Sequence, residues 1–297
     1  MRLVTFDTAT LSPRAGLLVG DGVIDIRATD PTLPDSVCAI LAGGDACLNA
    51  VARLADARPL SGVHLHPPVP GPQKIICIGQ NYRDHCLEQN APIPKSPIVF
   101  AKFATSLAGP RDNIVLPKIS EQIDYEIELA FVIGKGGKHI PEEHALEHVA
   151  GYMVFNDVTA RDIQFSDKQW VRGKSCDTFA PCGPALVTRD EILDPQNLKL
   201  ELRVNGQLMQ SSSTSQMIFG VAHLIAFLSQ TLTWTPGDIV ATGTPPGVGV
   251  FRKPPVFLKP GDKVVASVEQ LGSLENVCVA EELPANRRPA SSVRHNT

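Results

Sequence analysis

Ile123-Asp-Tyr-Glu-Ile-Glu-Leu-Ala-Phe-Val-Ile-Gly134 (IDYEIELAFVIG) carries two patterns in one stretch. Leu129 to Ile133 is a continuous apolar run, the signature of a strand covered on both faces. Before it, Asp124, Glu126 and Glu128 alternate with Tyr125, Ile127 and Leu129. The whole stretch reads as one β-strand whose leading half sets three carboxylates on one face. Glu126 and Glu128 then repel each other. In a half-buried site that repulsion and the cost of desolvation are relieved by a cation between them. A solvent-exposed acidic face satisfies the same pattern without one. Oxygen donors completed by water suit Mg²⁺ or Mn²⁺, and Ca²⁺ as well.

A third ligand is available downstream. Gly151 to Phe155 is an apolar strand that runs into Asn156-Asp157. Asp157 at a strand end is placed to join the pair, although a helix N-cap is an equally ordinary role for it. Arg161 and Gln164 follow at i+4 and i+7, on one face of a predicted helix. There they are suited to a substrate carboxylate or keto oxygen.

Three more segments have site-like composition. In Asn81-Tyr-Arg-Asp-His-Cys-Leu-Glu88 a helix places His85 and Glu88 three apart; a carboxylate that holds an imidazole makes a general base. The bland alternative is a surface pair. Gly173 to Gly183 sets Lys174 in a loop of small residues before a strand, where a solvated lysine is the default. Ala241-Thr-Gly-Thr-Pro-Pro-Gly-Val-Gly249 is a glycine-rich turn without phosphate-loop spacing, whose backbone N–H groups can meet an anion. Cys86 and Cys176 lie beside these residues and read as buried thiols rather than nucleophiles.

The rest of the chain frames these motifs. Its 297 residues are 43% hydrophobic and 20% charged, with a net charge of -4. This gives no electrostatic reason to expect nucleic acid or an anionic membrane as partner. Seven cysteines without a C-x-x-C pair point to free thiols in a reducing compartment. No apolar run is long enough to span a membrane, and MRLVTFDTAT reads as a strand rather than a targeting segment. The expectation is a soluble intracellular protein.

Residues 1–65 read as a small α/β unit. Asp21-Gly22 is a hairpin turn, and Asp35 or Ser36 caps a helix carrying Val37, Ile40 and Leu41. His64-Leu-His-Pro-Pro-Val-Pro-Gly-Pro72 contains a metal-capable His-x-His. With so many prolines it reads as an extended connector, so that 66–73 is a linker. Residues 74–281 are strand-rich, and 282–297 form a polar, disordered tail.

Six ordered motifs, GQNYRDHCLEQ, DYEIELAFVIG, FNDVTARDIQ, GKSCDTFAPCGPALVT, LRVNGQLMQ and TGTPPGVGVFRKPPVFLKPGD, resemble the fumarylacetoacetate hydrolase family over about residues 70–280. The resemblance implies a β-rich α+β fold: a mixed β-sandwich roll preceded by a small N-terminal α/β domain, assembled as a homodimer. It implies Glu126, Glu128 and Asp157 as Mg²⁺ or Mn²⁺ ligands and His85 with Glu88 as the water-activating pair. Lys174 becomes the enolate or oxyanion stabiliser, and Arg161, Gln164 and Thr244 substrate contacts. The implied chemistry is enolate formation from a small 2-keto acid, first of all keto–enol tautomerisation of oxaloacetate, in mitochondria. Acylpyruvate or fumarylacetoacetate-type C–C hydrolysis and oxaloacetate decarboxylation use the same enolate. A non-catalytic binding protein is the reading outside enzymology.

Overall fold

The structure, a computed structural model, describes residues 1–282. The expected tail falls, from residue 283 onward, outside them. In chain order the strands begin with β1 (Arg2–Asp7), β2 (Arg14–Val19), β3 (Gly22–Asp25), β4 (His64–His66), β5 (Ile75–Gly79) and β6 (Ile98–Lys102). Next are β7 (Leu107–Ala108), β8 (Ile114–Leu116), β9 (Ile123–Asp124), β10 (Ile127–Ile133), β11 (Val149–Asn156) and β12 (Thr159–Ala160). The series closes with β13 (Ala180–Thr188), β14 (Lys199–Val204), β15 (Gln207–Ser213), β16 (Ile239–Ala241), β17 (Lys263–Val268) and β18 (Gly272–Ala280). The helices are short: α1 (Ile26–Thr29), α2 (Val37–Ala42), α3 (Gly44–Ala52), α4 (Arg83–Glu88), α5 (Arg161–Ser166), α6 (Val171–Lys174) and α7 (Val221–Ser229).

The apolar half of the opening stretch is the spine. β10 lies inside a sheet ordered β3-β2-β1-β13-β11-β10-β16-β5-β6, with β4 added on β1 and β7 on β13. A second sheet, β15-β14-β17-β18-β8, covers one face of it. Ile127, Leu129, Phe131 and Ile133 pack into the core between the sheets with Leu200, Leu202, Val264 and Ala266. Ala130 and Val132 point the other way, into a core with Val37, Ile40, Leu41 and Val51 from α2 and α3. Two covered faces are the reason the run is continuously apolar. Phe131 is fully buried, so Phe131→Ala removes about 3–5 kcal/mol. The architecture is the strand-rich mixed fold expected from the sequence.

Several local expectations are corrected. The opening stretch is two strands, because the ladder stops at Tyr125–Glu126. Side chains replace it there: Asp124 Oδ1 accepts from Tyr125 N at 2.9 Å, and Asn156 Oδ1 from Glu126 N at 3.0 Å. The first hairpin turns at Gly20-Asp21, one residue early, with Gly20 at φ +56° and Val19 paired to Gly22. Of the two cap candidates, Ser36 is the one that caps α2. The helix after Asp157 starts only at Arg161, since β12 intervenes. Lys174 ends helix α6 rather than sitting in a loop. His64–His66 is a strand, paired antiparallel to β1. β1 also pairs with β13, Arg2 opposite Val187 and Leu3 opposite Leu186, which joins the N-terminal segment to the large sheet. Among the described residues no helix is long and apolar enough to cross a membrane.

Candidate active site

Strand register gathers the motifs at one end of the large sheet. Ile127 at the start of β10 lies opposite Asn156 at the end of β11. Ala130 lies opposite Ala241, the last residue of β16, and Ala241 is beside Cys77 near the end of β5. Residues leaving β5, β11 and β16 therefore converge where β10 begins. These are the segments of His85, Asp157 and Thr244, meeting Glu126 and Glu128.

Glu126, Glu128 and Asp157 are buried, each offering an oxygen within 4.8 Å of the others. Lys174 Nζ donates to Glu126 Oε2 at 2.6 Å and to Asp157 Oδ2 at 2.7 Å. Lys102, which closes β6, donates to Asp157 Oδ1 at 2.7 Å and also reaches the carbonyls of Val158 and Lys174. Asp157 is thus no N-cap. Arg161 Nε donates to Asp124 Oδ2 at 2.8 Å and Nη1 to Gln164 Oε1 at 3.0 Å. Its Nη2 lies 2.6 Å from Glu126 Oε1 but out of hydrogen-bonding alignment. Asp124, third of the alternating carboxylates, stands outside the cluster as the anchor of Arg161.

Four buried carboxylates, Asp124, Glu126, Glu128 and Asp157, face three buried cations, Lys102, Arg161 and Lys174. The imbalance falls on Glu128, whose Oε2 accepts only the Gly243 N–H at 2.7 Å. Burial first, then the Asp157 and Glu126 carboxylates, push the Glu128 carboxyl well above its usual range. Burial also opposes ionisation of Glu126, but Arg161 and Lys174 outweigh it and hold that carboxyl at about 2. A cluster of hard oxygen donors one positive charge short of neutral fits a divalent cation.

The glycine-rich turn does meet anions, and they are the protein's own. Gly243 N–H reaches Glu128. Gly247 N–H donates to Glu88 Oε1 at 2.8 Å, and Gly249 and Val250 N–H donate to the two oxygens of Asp124 at 2.7 and 3.0 Å. Glu88 Oε2 is 3.0 Å from His85 Nδ1, within the single helix α4. The other ring nitrogen, Nε2, faces the Gln89 amide nitrogen at 2.5 Å. The imidazole therefore carries its proton on Nδ1 and accepts at Nε2. Thr244 donates to the Ile127 carbonyl and accepts from Gln210, at 2.9 Å each.

His85, Glu126, Glu128, Arg161, Gln164, Lys174 and Thr244 all line one pocket of about 140 Å³, completed by Gln89, Phe100, Trp170 and Phe251 among others. Glu88 stands behind His85. Two larger hollows, of about 860 and 930 Å³, carry none of these carboxylates. Cys86 is buried as expected, whereas Cys176 is only half-buried; burial pushes both thiols up, away from the thiolate a nucleophile needs. Lys102, Gln89 and Gln210 escaped the sequence reading. Of these, Lys102 had a signal: it shares a strand face with Ile98 and Phe100, which places a lysine inward.

The pattern of the fumarylacetoacetate (FAA) hydrolase C-terminal family matches residues 74–279, and the chain belongs to that family. It is 53% identical over 288 residues to "Oxaloacetate tautomerase FAHD2B, mitochondrial" of Bos taurus, covering 94% of this chain and 92% of that one. Among solved structures it matches the fumarylacetoacetate hydrolase of the psychrophile Exiguobacterium antarcticum with TM-score 0.84 and 38% identity, over 95% of this chain and 100% of that one. It also matches the maleylpyruvate hydrolase of Sphingobium sp. SYK-6, solved in complex with manganese (II) ion and pyruvate, with TM-score 0.79 and 31% identity over the same shares.

Proposed function

We propose that this chain is a divalent-metal-dependent oxaloacetate keto–enol tautomerase. The observation that carries the reading is the buried Glu126–Glu128–Asp157 cluster, bridged by Lys174 and opening into a small pocket beside His85. Glu126, Glu128 and Asp157 hold the cation, Mg²⁺ or Mn²⁺. When bound, it supplies Lewis acidity that draws electron density from a 2-keto acid and lowers the cost of its enolate.

The protein groups do the rest. Two of the three Lys174 donors are spent on Glu126 and Asp157, which fixes the ammonium; the third is available to a developing enolate oxygen. Arg161 and Gln164, locked to each other and to Asp124, orient a substrate carboxylate. His85, its tautomer set by Glu88, takes or returns the C3 proton at Nε2 once Gln89 yields that position. Phe100, Trp170 and Phe251 exclude water. A pocket of about 140 Å³ lies well below the ~300–1,000 Å³ of drug-sized sites, which favours a short diacid over a long acylpyruvate.

The His85–Glu88 pair also supports a second reading, C–C hydrolysis of a small acylpyruvate, because a held imidazole is what water activation needs. One experiment separates them: decay of enol-oxaloacetate and of an acylpyruvate, each followed by ultraviolet absorbance with Mg²⁺ and with chelator. Metal-dependent acceleration of the first supports tautomerisation. Much faster cleavage of the second replaces it with hydrolysis. Full activity in chelator sinks both.

The Bos taurus relative is named as mitochondrial, and this reading extends that compartment to the chain; cell fractionation tests it. It also includes a homodimer, contradicted if light scattering gives a mass near 31.9 kDa.

A further inference from the structure

We propose that Asp7, His64 and His66 form a second metal site, for Zn²⁺, which staples the N-terminal strands to the turn before β8. The three residues present ligand atoms within 4.8 Å of one another and share no residue with the carboxylate cluster. Asp7 on β1 lies directly opposite His64 on β4. His64 and His66, two apart on a strand, project from the same face. Asp7 Oδ1 is 3.3 Å from His64 Nδ1, and Asp7 Oδ2 is 3.0 Å from His66 Nε2.

One detail argues against an ordinary surface ion pair, and a second shows how a ligating tautomer would be held. First, His66 Nε2 is a buried nitrogen without a hydrogen-bond partner, because the Asp7 oxygen at 3.0 Å lies out of alignment. A buried unsatisfied nitrogen is costly, and coordination resolves it. Second, both ring nitrogens of His64 face carboxylates, Nδ1 towards Asp7 and Nε2 towards Asp112 Oδ1 at 2.9 Å. A neutral imidazole has only one N–H. With that proton on Nε2, bonded to Asp112, the Nδ1 lone pair faces Asp7 and the metal position. This is the carboxylate–histidine–metal arrangement that fixes ligating imidazoles.

The donor set decides the ion. Two imidazoles and one carboxylate suit a borderline cation such as Zn²⁺, with water in the fourth position, whereas the all-oxygen cluster suits Mg²⁺ or Mn²⁺. The surroundings define the role. Asp112 Oδ2 accepts from Gly109 N at 2.6 Å, and Asn276 on β18 donates to the Gly109 and Asp112 carbonyls at 3.2 and 2.8 Å. Through Asp112 the site ties β1 and β4 to a turn anchored on the second sheet.

The test uses the full chain in excess Mg²⁺, with Glu126→Gln measured beside it to subtract any zinc that displaces Mg²⁺ from the carboxylate cluster. ZnCl₂ is titrated against a chromophoric chelator and thermal unfolding is followed. Wild type takes up roughly one further equivalent at micromolar concentration or below. Zinc about 100-fold above its Kd raises Tm by about 5 °C. His66→Ala abolishes both effects, and Asp112→Asn weakens zinc about 10–100-fold. Because β4 substitutions can disturb folding, wild-type crystals soaked in ZnCl₂ and measured at the zinc edge give an independent reading. An anomalous peak among Asp7, His64 and His66 supports the site. No peak there, or zinc affinity unchanged in His66→Ala, overturns it.

Discussion

Glu128→Gln separates the charge on Glu128 from its shape. Glu128 is 1% exposed and feels two repelling carboxylates, Asp157 and Glu126, against one attracting cation, Lys174. At separations up to 4.8 Å and an effective dielectric near 20, each such pair is worth at least about 3 kcal/mol. Burial comes first among the causes and Lys174 offsets part of the repulsion, so one such pair, about 3 kcal/mol, sets the scale of the strain on the ionised protein. The sign with pH follows. A carboxyl whose folded pKa is raised stabilises the fold below its unfolded value, and that contribution is lost as pH climbs to the folded pKa. Metal-free wild type is therefore expected to lose stability from about pH 4.5 upward. Glu128→Gln removes this slope and is more stable than wild type in chelator at pH about 8, by about 3 kcal/mol. Mn²⁺ reverses the order. It stabilises wild type but not the variant, which lacks one of three carboxylate ligands; outer-shell partners alone are worth about 10–100-fold in affinity. Urea unfolding across pH, with chelator and with MnCl₂, reads both effects. A variant less stable than wild type in chelator at high pH refutes the charge argument. Equal stabilisation of both proteins by Mn²⁺ refutes the ligand assignment.

Lys174→Met is expected to lower turnover of every substrate by about 10²–10³-fold, the usual cost of one oxyanion donor; steady-state kinetics on enol-oxaloacetate and an acylpyruvate would show it, and a selective loss would deny Lys174 its shared role. Glu88→Ala is expected to lower both tautomerisation and any C–C hydrolysis by about 10²–10⁴-fold, since both draw on the His85 base that Glu88 holds; a loss confined to hydrolysis would show that another group moves the C3 proton. Gly249→Ala places a Cβ 1.8 Å from the Val256 carbonyl oxygen and 2.7 Å from Asp124 Oδ1, so a loss of about 3 kcal/mol or more is expected; an unchanged urea midpoint would show that the turn can open.

The spine and the carboxylate cluster are legible in the sequence for different reasons. Leu129 to Ile133 announced two buried faces through composition alone. Glu126, Glu128 and Asp157 were legible because strand period and strand-end position are local properties. The break at Tyr125 was not, because it depends on Asn156, thirty positions along the chain, replacing a ladder hydrogen bond. Lys102 was overlooked because its partners, Asp157 and the Lys174 carbonyl, come from other segments. In the same way the role of the glycine-rich turn was half visible. Its freedom to bind an anion is a backbone property, whereas the identity of the anions is set by long-range packing.

That turn has a consequence for the order in which the protein becomes functional. Glu88, Asp124 and Glu128 leave the ribosome more than a hundred residues before the amides of Gly243, Gly247 and Gly249 that hold them. β10 likewise waits for β16 as its neighbour. Contacts this distant in sequence form late. A nascent chain ending before residue 243 can hold Asp124 through Arg161 and Glu88 through His85, but it leaves Glu128 without its hydrogen bond, so the proposed cation site is complete only once that turn has closed. Ending the chain before this turn should abolish loading of the proposed site altogether, even though Glu126, Glu128 and Asp157 would still be present.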